Sequence, residues 1–64
     1  MKPIEKTCKC IKDFEFDNHK FIKNREYQID LYPLFYKIYR NGGWDDYIFL
    51  SEEDIFCEYF KIID

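Results

Sequence analysis

The chain has 64 residues, room for one domain but not for a two-domain enzyme or a barrel of alternating strands and helices. Apolar residues make up 47% and charged residues 36%, and seven Phe, six Tyr and one Trp are more rings than a disordered chain carries. The net charge of −3 is unevenly spread, with +3 over residues 1–40 and −6 over residues 41–64. The acidic third disfavours nucleic acid and favours a protein partner with a basic surface.

A domain of about 60 residues buries only roughly 60% of its unfolded surface, and each aromatic side chain can bury about 150–250 Å². The ring excess is therefore first a source of stability, and only rings the core does not need can serve a partner. No run approaches the ~18–20 apolar residues of a membrane span. Residues 1–6 lack the apolar stretch of a secretory leader and are expected to form an N-terminal tail. Three cysteines, Cys8, Cys10 and Cys57, point to free thiols in a reducing cytoplasm.

In chain order, residues 7–14 read as a first strand, with Cys8, Cys10 and Phe14 on one side and Thr7, Lys9 and Asp13 on the other. Ile11 interrupts the alternation as a bulge would. Residues 15–20 read as a loop around the turn formers Asp17 and Asn18. Lys23 and Asn24 form a second turn, since Asn tolerates the left-handed region. A strand over 26–32 places Tyr27, Ile29 and Leu31 on one face, and Pro33 ends it. The next strand, 34–40, turns Leu34, Tyr36 and Ile38 inward and Phe35 and Tyr39 outward. Asn41, Gly42 and Gly43 signal a tight hairpin leading to a return strand over 44–50. Ser51 and the acidic residues after it resemble a capping box opening a short helix. Lys61, Ile62 and Ile63 close the sheet as a last strand.

Three segments carry a resemblance: Cys10 to Phe14; Phe21 to Tyr27, with Asn24 where a Gly is usual; and Ser51 to Phe60. Together they resemble the small SH3-like barrel proteins of phages and prophages of low-GC Gram-positive bacteria. The resemblance spans about residues 7–64. It implies an all-β or β-rich α+β fold, a five-stranded antiparallel barrel with one short helix before the last strand. It also implies a viral accessory protein in the host cytoplasm.

The constellations for catalysis are thin. Cys8 and Cys10 on one strand hold their sulfurs about 6–7 Å apart, too far for one zinc ion, so buried thiols are expected and no metal or cofactor. His19, the single histidine, falls in the expected loop, and Glu58 beside Cys57 would raise that thiol. A domain this small cannot enclose the usual substrate cavity of ~300–1,000 Å³, and no enzyme is expected. The remaining reading is a non-catalytic protein-interaction module that binds and inhibits a host factor or defence complex, in the manner of anti-CRISPR inhibitors. Its binding surface is expected to combine Tyr32, Phe35, Tyr39 and Trp44 with Asp45, Asp46, Glu52 and Glu53. Self-association into a homodimer is a variant. The alternative is a nucleic-acid-binding barrel whose basic side (Lys9, Lys12, Lys20, Lys23, Arg25, Lys37 and Arg40) interleaves with Phe35 and Tyr39.

Overall fold

A computed structural model of the chain describes residues 2–40 and 45–64. Among these described residues, seven strands and one helix follow in the order β1 (Ile4–Cys10), β2 (Phe14–Phe16), β3 (His19–Phe21), β4 (Glu26–Leu31), β5 (Tyr36–Tyr39), β6 (Tyr47–Leu50), α1 (Glu53–Tyr59) and β7 (Phe60–Ile62). All pairings are antiparallel. Five strands form one sheet in the order β6-β5-β4-β1-β7, and β2 and β3 form a separate hairpin. The fold is thus β-rich with one short helix. Among the described residues no ladder joins β6 to β7, and the hairpin stands beside the five-stranded sheet.

Period-two alternation sorts the sheet into two sides. Ile29, Ile38 and Ile48 stand in one cross-strand row facing the core, with Leu31, Tyr36 and Leu50 in the next. Cys8 lies opposite Tyr27 on one neighbour and Ile62 on the other. The hairpin, α1 and β7 bring Phe21, Phe56 and Phe60 onto that side, where each is at most 3% exposed. These rings meet edge-on or stacked: Phe21 lies 5.0 Å from Tyr27 and 5.3 Å from Phe60, and Phe56 stacks on Tyr36 at 4.1 Å. The Tyr27 hydroxyl is not stranded by its burial, because it accepts the Ile22 N–H at 2.8 Å.

Turn chemistry explains the connections. Asp17 and Asn18, at φ 52° and 65°, occupy the two-residue loop of the β2–β3 hairpin, where positive φ matches the strand twist. Asn24, at φ 75°, lets the chain enter β4, and its N–H donates to the Cys10 carbonyl at 2.7 Å. The β4–β5 turn closes through the Tyr32 N–H donating to the Phe35 carbonyl at 3.0 Å. At the other end, α1 passes straight into β7. Phe60 is already extended (φ −135°, ψ 153°), and its N–H closes the helix on the Phe56 carbonyl.

Several expectations change. Residues 4–6, read as a tail, pair with Leu31, Asp30 and Ile29 and lengthen β1. The first strand stops at Cys10, since the Ile11 N–H is taken by the Tyr59 carbonyl, so Phe14 begins a different strand. Residues 15–20 are not a loop but most of a hairpin. Leu34 does not join β5; it sits in the tight turn and is 83% exposed. Ser51 does not cap the helix: Glu52 holds that position without a side-chain cap, and Glu53 and Asp54 supply first-turn charge instead. The return strand begins at Tyr47. The expected hairpin at Asn41, Gly42 and Gly43, with Trp44, lies outside the described residues. The last strand forms as expected, one residue earlier.

Candidate protein-binding surface

The side of the sheet facing away from the core carries its own line of rings. Tyr32 stacks on Phe35 across the β4–β5 turn at 4.5 Å, and Phe35 meets Phe49 edge-on at 5.2 Å. Phe49 meets Tyr47 at 5.3 Å, and Tyr47 meets Tyr39 at 5.8 Å. The register produces this line: Lys37 stands opposite Phe49, and Tyr39 opposite Tyr47, so one face of β5 and β6 holds nothing but rings and one cation. The Lys37 ammonium lies 4.2 Å from the Tyr47 ring centre, 5.1 Å from Tyr39 and 5.9 Å from Phe49. The Tyr39 hydroxyl beside it holds the Lys37 ammonium above its ordinary value.

Tyr39 is where the expected surface gives way. It is 5% exposed, and its hydroxyl donates to Asp30 Oδ2 at 2.8 Å. Burial pushes that phenol up, and its bond to the Asp30 carboxylate pushes the same way. Asp30 is itself buried, so Tyr39 anchors a polar contact inside the sheet and presents little surface to a partner. Phe49, which the sequence reading left out, takes its place at 52% exposure. Its signal was present in the alternation of Tyr47 and Phe49 against the buried Ile48 and Leu50.

The acidic residues do not form one ring around the aromatics. The four residues of β6, about 13 Å at ~3.3 Å per residue, and Ser51 separate Asp45 and Asp46 from Glu52 and Glu53. Asp46 is engaged locally: Arg40 Nη2 lies 2.7 Å from its Oδ2, and His19 Nε2 lies 3.1 Å from its Oδ1. Asp45, Glu52 and Glu53 are exposed. Glu53 lines an open groove of about 470 Å³ with Tyr32, Leu34, Phe35 and Tyr36. Burial, then the Glu53 charge, raises the Tyr36 phenol. The structure therefore brings Tyr32, Phe35 and Glu53 together with Glu52 adjacent. It sets Asp45 and Asp46 apart and leaves Tyr39 covered on the outer face, while Trp44 is outside the described residues.

The alternative basic side is partly occupied. Lys12 pairs with Glu58 at 3.2 Å on the surface and lies 5.4 Å from the Tyr59 ring centre; Arg40 is held by Asp46, and Lys37 by rings. Cys8 and Cys10 are fully buried free thiols, and Cys57 is exposed. Burial, then the neighbouring Cys10, pushes the Cys8 thiol up to about 12, the reverse of what a nucleophile needs. Among the described residues no three His, Cys, Asp or Glu side chains are grouped to hold a metal ion. Nor is any helix long and apolar enough to cross a membrane. Comparison with family models, curated proteins and solved structures finds no match to the chain.

Proposed function

We propose that the chain is a small SH3-like domain acting as a non-catalytic protein-interaction module. In this reading the Tyr32–Phe35–Phe49 rings anchor a partner protein, and Glu52 and Glu53 meet basic groups on it. The SH3-like assignment draws support from the strand order, with a hairpin inserted between β1 and β4 and a short helix immediately before the last strand. The observation that carries the interaction reading is Phe49 at 52% exposure, continuous with Phe35 and Tyr32 and bordered by exposed Leu34. Aromatic anchors with a charged rim are the composition of an interface centre. The resemblance to phage and prophage proteins adds the setting, an accessory protein that blocks a host factor or defence complex in the host cytoplasm.

The test is affinity capture from host lysate with three baits: the natural chain, a Phe35→Ala/Phe49→Ala variant and a Glu52→Lys/Glu53→Lys variant. A protein with a basic surface should be retained by the natural chain, weakened by salt and lost from both variants. Equal recovery on all three baits would sink the reading. A salt-sensitive gel shift with single-stranded oligonucleotides would replace it with the nucleic-acid alternative, in which Lys37 and its rings form a stacking platform.

A further inference from the structure

Both ring nitrogens of His19 face acceptors. Nδ1 lies 2.7 Å from the Asp17 carbonyl oxygen, and Nε2 lies 3.1 Å from Asp46 Oδ1. A carbonyl oxygen has no proton to give, and Asp46 also faces Arg40, whose Nη2 sits 2.7 Å from Oδ2 and whose Nε sits 3.1 Å from Oδ1. A neutral imidazole carries a single N–H and can satisfy only one of these two contacts, turning a lone pair toward the other. The imidazolium donates to both. Only the charged ring can make both contacts at once.

The place of this contact in the fold gives it a consequence. His19 opens β3 directly after the Asp17–Asn18 turn, and Asp46 directly precedes β6. The His19–Asp46 pair therefore ties the tip of the separate β2–β3 hairpin to the connection between β5 and β6. The charged groups around it are Asp46 and Arg40 from that connection and Asp17 at the hairpin turn. Glu15 and Lys20 pair with each other one position along the hairpin, where side chains alternate to the opposite side. Residues 41–44 contain no titratable side chain.

We propose that His19 is a proton-operated clamp: charged, it bridges the Asp17 carbonyl of the hairpin turn and Asp46; neutral, it holds only one of them, which loosens the hairpin tip within its own turn or from the sheet. The link is complete at the acid end and is lost as pH rises. The experiment is ¹⁵N NMR of the full chain at about pH 5 and pH 8, the interval in which histidine changes charge. Imidazole spectra report the ring protons, and backbone order parameters report the hairpin. The expected result is two protonated ring nitrogens and a rigid turn at pH 5, with order parameters near about 0.85 at Asp17 to Lys20. At pH 8 those four residues should fall toward about 0.6 while Phe21 and Phe60 stay rigid. The step should vanish in Asp46→Asn and in His19→Gln. Equal order at both pH values in the natural chain, or the same step in His19→Gln, overturns the clamp.

Discussion

On the core side of the sheet Phe21, Phe56 and Phe60 are each at most 3% exposed, whereas on the other side Phe49 is 52% exposed. Both sides are rich in rings, and β5 and β6 contribute to each of them. The difference lies in what covers them: the hairpin and α1 supply Phe21 and Phe56 over the inner rows, while the outer rings are covered by one another and by Lys37. An aromatic residue is thus a core residue or a surface residue according to the layer that folds over it. In a chain of this length there is enough material to seal one side well.

Four measurements test how unequal the two sides are. Phe60→Ala should cost about 3–5 kcal/mol, because the ring is enclosed by Phe21, Tyr27 and Phe56 and the site cannot collapse around the gap. Total stability for such a domain is on the order of 0.05–0.15 kcal/mol per residue, so this variant should be close to unfolded in urea titration. Phe49→Ala should lose under about 1 kcal/mol in the same titration. A loss as large as that of Phe60→Ala would make the outer cluster a second core and remove it as a docking surface.

Tyr39→Phe should fall between these limits, at about 1.5–3 kcal/mol, since it withdraws a hydroxyl from the buried Asp30 carboxylate while keeping the ring. A urea midpoint unchanged by this substitution would show that the contact contributes nothing net. The smallest effect at neutral pH belongs to Cys8, and it grows only in base. Burial pushes its thiol up from 9.0 to about 12. The raised folded value means its contribution is complete below pH 9 and is lost as pH climbs toward 12. Stability followed by circular dichroism should decline over that interval and decline less in Cys8→Ala; an identical decline would assign base sensitivity to Tyr36 and Tyr39, which are also raised.

Much of the local structure was legible because it rests on backbone rules that a few residues obey by themselves. Asp17, Asn18 and Asn24 announced turns and take positive φ. Pro33 announced the end of β4, and the alternation in β4 and β5 marked Ile29 and Ile38 as inward. The burial of Cys8 and Cys10 followed from the same period of two. The candidate surface was legible only in part. Tyr32 and Phe35 were recognisable as ring residues at a turn, but Tyr39 was misplaced because its hydroxyl finds Asp30, nine positions earlier in the chain, on a neighbouring strand. Phe49 was passed over because a strand's two faces look alike until its partners are known.

Composition and period thus settle that this chain forms strands with apolar faces, since each residue's rotation about the strand axis depends on its neighbours alone. Which of two apolar faces becomes the interior depends on where the hairpin and helix come to rest, and that is set by contacts between residues far apart in sequence. The same holds for the acidic residues. Asp46 and Glu53 look equivalent as letters, yet one is drawn into a pair with Arg40 and His19 and the other is left on the rim of a groove. Charge is carried by the residue, but availability to a partner is conferred by whatever the fold places beside it.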